Sequence, residues 1–122
     1  MYILVADDEM IVRAAFRFML ERKLDNVRVR CANHADMLLK AVDEYCPEIV
    51  ILDWELPGER PLPLINRLRD LCPDATIVIT STHPHAENPA IRSGADQVVN
   101  KGEPPDALIA YLQERAAARV SA

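Results

Sequence analysis

Three carboxylates, a lysine and a hydroxyl stand where apolar runs of this chain stop. Asp7 and Asp8 follow Tyr2-Ile3-Leu4-Val5-Ala6, Asp53 follows Ile49-Val50-Ile51-Leu52, Ser81 follows the run from Ala75 to Thr80, and Lys101 follows the run from Ala95 to Asn100. Carboxylates gathered in one place repel one another, and the arrangement makes sense around a divalent cation. Oxygen ligands with no His or Cys beside them favour Mg²⁺, which keeps several waters and is commonly shared with phosphate oxygens. An ammonium and a hydroxyl on the opposite rim are the donors suited to a phosphoryl group with charge spread over three oxygens. A carboxylate can also attack phosphorus and give an aspartyl phosphate. Asp53 is the candidate nucleophile because it is the lone acid ending its run, whereas the pair Asp7 and Asp8 suits metal binding. Singly, each residue has a structural reading: Asp8 as an N-cap, Ser81 as a helix cap, Lys101 as a surface charge, Asp53 as a strand stop. Five such residues at four run ends favour a shared pocket.

The elements that must position them follow from periodicity. Ile49 to Leu52 has no polar alternation, the mark of a strand covered on both faces of a parallel sheet, and Pro57-Gly58 supplies a turn soon after it. Val27-Arg28-Val29-Arg30-Cys31 alternates instead, as a strand nearer the sheet edge does. Between Met10 and Lys23, Ile11, Ala14, Ala15, Phe18 and Met19 recur at helical spacing and predict a core-facing stripe, with Asp8 placed to begin the helix. Asn33 or His34 is expected to cap a helix running to about Tyr45, with Met37, Leu38, Ala41 and Val42 inward. Leu62 to Leu71 reads as a helix stopped by Cys72-Pro73-Asp74. His83 to Gly94, with Pro84 and Pro89, is the weakest helical stretch and is expected to be short or irregular. Pro104 or Pro105 starts a last helix with Leu108, Ile109 and Leu112 as its apolar stripe. Five strands alternating with five helices predict an α/β fold, a doubly wound parallel sheet with right-handed crossovers. Such sheets bind ligands at the carboxyl ends of their strands, where all five candidate residues fall.

The 122 residues suit one domain with a single core. Their formal net charge of −5, from 19 acidic and 14 basic residues, gives no general attraction to nucleic acid or anionic membrane. No apolar run approaches the roughly 20 residues that span a bilayer, and the chain opens on Met-Tyr-Ile-Leu-Val; a cytoplasmic location is expected. Cys31, Cys46 and Cys72 lack metal-site spacing and are expected to be small core thiols. His34, His83 and His85 read as surface residues. Trp54 is expected to lie over the pocket entrance with a modest role in access, the alternative being to cover a neighbouring apolar surface.

Ala6-Asp7-Asp8-Glu9, Ile51-Leu52-Asp53-Trp54-Glu55-Leu56-Pro57-Gly58, Ser81 at 28 positions beyond Asp53, and Val99-Asn100-Lys101 together resemble the receiver domain of two-component response regulators, over essentially the whole chain. The resemblance implies a flavodoxin-like (βα)5 sheet in strand order 2-1-3-4-5 and one receiver domain over residues 1–122. It implies Asp53 as phosphoacceptor, with Asp8, Asp53 and the backbone carbonyl of Glu55 as Mg²⁺ ligands and Asp7 as a water-mediated one. Ser81 and Lys101 would contact the phosphoryl oxygens. The implied donor is a sensor histidine kinase or phosphotransfer protein. The domain would not be an enzyme in its own right but would assist its own phosphorylation and dephosphorylation, with the Glu55 side chain able to orient or block water.

Lys101-Gly102-Glu103-Pro104-Pro105, in place of the family's usual Lys-Pro, looks like the NarL/LuxR-type subgroup and hints at a parent with a helix-turn-helix output. DNA contact is then expected through that output domain and not through these residues, and homodimerisation is a family expectation. The position that is aromatic in many receivers, three before the lysine, is Val98. A non-phosphorylated interaction or dimerisation module, and more distantly a dehalogenase-like phosphatase wanting an Asp where Glu55 stands, are the alternatives.

Overall fold

A computed structural model describes residues 1–82 and 94–121. Along the chain run β1 (Tyr2–Ala6), α1 (Met10–Lys23), β2 (Arg28–Ala32), α2 (Ala35–Glu44), β3 (Ile49–Asp53), α3 (Pro61–Leu71), β4 (Thr76–Ser81), β5 (Gln97–Asn100) and α4 (Asp106–Ser121). All four strand pairings are parallel, in the order β2-β1-β3-β4-β5. This is the predicted sheet, with the alternating strand at one edge and the apolar β3 in the middle. Residues 83–93 of the stretch expected to be helical, with its two prolines and with His83 and His85, lie outside the described residues.

Strand parity divides the core into two layers. Leu4, Ala6, Val50, Leu52, Ile77 and Ile79 pack on one face with Leu38 and Val42 of α2 and Leu64, Ile65 and Leu68 of α3. Ile3, Val5, Ile49, Ile51 and Val78 pack on the other with Leu20 of α1 and Leu108, Ile109 and Leu112 of α4. Each fully buried Ile or Leu is worth about 1.5–3 kcal/mol against exposure. Both faces of β1, β3 and β4 are therefore anchored, and little freedom remains at their carboxyl ends.

Several local expectations change. Of the stripe Ile11, Ala14, Ala15, Phe18 and Met19, Met19 packs on the second layer as expected but the other four are exposed, Ile11 at 80 % and Phe18 at 63 %, while Leu20 is buried and Phe16 packs on that layer. Phe16, Met19 and Leu20 satisfy helical spacing as well as Ile11, Ala15 and Phe18 do, and contact with the sheet selects the former. The N-cap of α1 is Glu9 without a side-chain cap bond. Asp8 therefore does not begin the helix, and Asp7 Oδ1 instead accepts the Glu9 N–H at 2.9 Å. His34 does cap α2, its Nδ1 accepting from the Met37 N–H at 3.2 Å, but Met37 itself is 40 % exposed. Two of the cysteines are not core thiols: Cys46 and Cys72 form a disulfide, because the turns ahead of β3 and β4 run side by side. Cys31 is free and half-buried.

Candidate functional site

Register alone brings the site together. Ala6 pairs with Leu52, Asp53 with Thr80 and Ser81 with Asn100, so the residues that follow or close these strands share one end of the sheet. Backbone bonds extend the ladder past the strand ends: Asp7 N–H to Ala32 O at 3.0 Å, Trp54 N–H to Thr80 O at 2.8 Å and Lys101 N–H to Ser81 O at 2.9 Å. Ser81 is 4 % exposed. Asp7, Asp8, Asp53 and Lys101 thus meet as the sequence predicted.

Asp7 and Asp53 are buried, at 1 % and 5 % exposure, while Asp8 is exposed. One ligand oxygen from each of the three lies within 4.8 Å of the others. Lys101 reaches in from the opposite side, its Nζ 2.6 Å from Asp7 Oδ2 and 3.3 Å from Asp53 Oδ2. Asp53 Oδ1 accepts the Glu55 N–H at 3.1 Å, within a turn closed by Leu56 N–H to Asp53 O, also at 3.1 Å. That turn places Glu55 beside the carboxylate with its side chain exposed.

Burial pushes the Asp53 carboxyl up, and Asp7 adds to the rise; the Glu55 N–H and Lys101 oppose it without cancelling it. Burial works against the Lys101 ammonium, but Asp7 and Asp53 together outweigh it and raise its pKa. Asp7 Oδ2 is buried without a hydrogen bond of good geometry, although the Lys101 ammonium faces it as an ion pair. An under-coordinated buried oxygen amid three carboxylates fits a hard divalent cation. Formally, three carboxylates and one ammonium sum to −2, which such an ion balances.

Two further residues support this neighbourhood: Arg13, not singled out from the sequence, and Gly58 of the expected turn. Arg13 of α1 donates from its guanidinium to the Asp7 carbonyl at 2.8 Å; a basic residue within the first turns of the helix after Asp7-Asp8 was the available signal. Gly58 has φ +107° and brings its backbone against Ala35, where an added Cβ would come 3.2 Å from the Ala35 Cβ. Trp54 packs against the first core layer, the second of its two expected roles, and half-buried Val98 packs against the same layer.

The sequence matches the response regulator receiver domain over residues 3–113. The chain belongs to that family. A CheY-like receiver domain protein from Methanospirillum hungatei JF-1 superposes with a TM-score of 0.86, covering 98 % of this chain and 96 % of that one at 20 % identity, a likeness of fold. A response regulator from Burkholderia pseudomallei, solved with a phosphorylated aspartic acid, calcium ion and citrate, superposes with a TM-score of 0.78 at 26 % identity over 97 % of this receiver and 74 % of that chain. Among curated relatives, the nitrate/nitrite response regulator NarL of Escherichia coli K12 is 26 % identical over 117 residues, 94 % of this receiver and 54 % of NarL. The transcriptional activator ExaE of Pseudomonas putida is 30 % identical over 111 residues, 89 % of this receiver and 52 % of ExaE. The receiver spans about half the length of these two relatives. It is a response regulator receiver domain, and the NarL/LuxR resemblance stands. Among the described residues no helix is long and apolar enough to cross a membrane.

Proposed function

We propose that this receiver is a phosphorylation-activated switch whose phosphoacceptor is Asp53. The observation that carries the reading is the meeting of Asp7, Asp8 and Asp53 within 4.8 Å, with Lys101 against two of them. The B. pseudomallei relative with its phosphorylated aspartic acid and calcium ion supports it. Asp7, Asp8, Asp53 and the Glu55 carbonyl are the groups that would hold Mg²⁺, which when bound supplies positive charge against the carboxylates and the phosphoryl oxygens.

The Glu55 N–H fixes one oxygen of Asp53 and leaves Oδ2 on the Lys101 side. That carboxylate forms a new O–P bond while the bond from phosphorus to the donor breaks, the donor nitrogen or oxygen leaving with the electron pair. Lys101 then exchanges its carboxylate partners for a phosphoryl oxygen, and the Ser81 hydroxyl donates to another. Both belong to the chain's β4–β5 side, so phosphorylation draws that side toward Asp53 and biases the surface beyond it. Glu55, exposed beside the acyl phosphate, orients or blocks the hydrolytic water and so sets the lifetime of the phosphorylated state.

The phosphodonor is a sensor histidine kinase or phosphotransfer protein in the cytoplasm. Residues 1–122 act as one receiver domain, with homodimerisation and, through an output domain, transcriptional regulation as the downstream events. Trp54 adjoins Asp53, so Mg²⁺ titration followed by acetyl phosphate should change its fluorescence in two steps, the second lost in Asp53→Asn. Beryllofluoride should bind the wild type. A protein that answers to neither addition and ignores beryllofluoride is a docking module and not a phospho-switch.

A further inference from the structure

The Cys46–Cys72 disulfide lies at the amino-terminal edge of the sheet, roughly 20 Å along β3 from Asp53. Its two halves are unequal: Cys46 is exposed and Cys72 is 3 % exposed. A cavity of about 210 Å³, lined by both cysteines together with Tyr45, Glu48, Pro73 and Asp74, gives small molecules a way to the bond. The cross-link closes a loop with a sequence separation of 26, and that loop contains β3, Asp53 and α3. Buried structural disulfides resist exchange because thiolates cannot reach them, whereas exposed ones are the labile class.

We propose that Cys46–Cys72 is a thiol–disulfide exchange site for small thiols, and that its redox state sets the stability of the segment carrying Asp53. The attacking thiolate, RS⁻, forms a bond to Cys46 Sγ, the exposed end. The Cys46–Cys72 bond breaks, and Cys72 leaves with the electron pair and takes up the proton that RSH lost. A second thiolate attacks the R-bearing sulfur of the mixed disulfide, releasing RSSR and the Cys46 thiolate, which is protonated in turn. Two RSH are oxidised to RSSR while one protein disulfide is reduced to two thiols; a small-molecule disulfide runs the sequence backwards. Opening the bond restores conformational freedom to the unfolded loop, while β3 remains paired with β1 and β4 and Asp53 keeps its place.

The test uses the full chain, folded, without denaturant. After treatment with cysteamine, alkylation and peptide mapping should find two more modified cysteines than before, Cys46 and Cys72, and cystamine should reverse this. Reduction should lower Tm by about 10 °C, and Cys46→Ser should already have the lower Tm and no longer respond to thiol. Modification only in denaturant, or a Tm that does not move on reduction, overturns the proposal. Acetyl phosphate labelling of Asp53 is measured in both redox states. Its absence in both would count against the phospho-switch and leave the exchange result standing.

Discussion

The Lys101 ammonium lies 2.6 Å from Asp7 Oδ2, an ion pair joining the loop after β5 to the end of β1. The basic rim of the site is thereby held by its acidic floor, and any cation entering the cluster competes with this lysine. Lys101→Ala should therefore bind Mg²⁺ more tightly, on the order of tenfold, since a positive charge beside a ligand carboxylate has gone. Phosphorylation from acetyl phosphate should fall about a hundredfold for want of the charge that meets the transferring group. Trp54 titration and phosphate incorporation separate the two effects. A variant with weaker Mg²⁺ binding would show instead that the lysine mainly holds the site in shape.

Asp53→Asn should take up no phosphoryl group and yet be more stable than the wild type without metal. Burial first, then the neighbouring Asp7, disfavour the charged carboxylate; an amide of the same shape removes that penalty and still accepts the Glu55 N–H, and this gain outweighs the Lys101 contact it gives up at Oδ2. Urea denaturation in a chelator at neutral pH measures the difference, and Mg²⁺ should shrink it.

Both raised groups fix the sign of the pH dependence without metal. The folded state holds the Asp53 proton to higher pH than the unfolded chain does. Stability from that proton is full below the ordinary aspartate range and is lost as pH rises through the raised folded value. Lys101, raised as well, contributes fully below the ordinary lysine range, and its contribution disappears as pH climbs through its folded value. Melting curves in chelator should show the advantage of Asp53→Asn growing from about pH 4 upward. They should show Lys101→Ala losing less than the wild type in alkali.

Arg13 ties α1 to the carbonyl of Asp7, and the Asp7 side chain in turn accepts the Glu9 N–H that opens the helix. Arg13→Met, which keeps most of the apolar stem, should cost about 1 kcal/mol and weaken Mg²⁺ binding severalfold by loosening the Asp7 backbone. Arg13→Lys should recover part of both. Unchanged Mg²⁺ affinity in the methionine variant would reduce the contact to ordinary helix docking.

Gly58→Ala should destabilise the domain by about 1–3 kcal/mol. The backbone there has φ +107° and an added Cβ would come 3.2 Å from the Ala35 Cβ, just where Pro57 O accepts the Ala35 N–H at 2.9 Å. Because this loop follows the Asp53 turn, the loss should appear in Trp54 fluorescence as well as in Tm.

The uninterrupted apolar run of β3, the alternation of β2 and the acids, hydroxyl and lysine that end the strands were legible because a parallel sheet writes its burial and its functional edge into local sequence. Spacing could not choose between two apolar stripes on α1, both of which fit a 3.6-residue period; contact with the sheet chose Phe16, Met19 and Leu20 and left Ile11 and Phe18 outside. Nor could it pair Cys46 with Cys72, since residues 26 apart meet only when β3 and β4 lie side by side. The chain by itself determined which residues end which strands and what chemistry their types permit. The tertiary structure decided their distances, the Lys101–Asp7 pairing, the role of Arg13 and the disulfide, because these are contacts between segments distant in sequence, fixed by register and packing and by no local pattern.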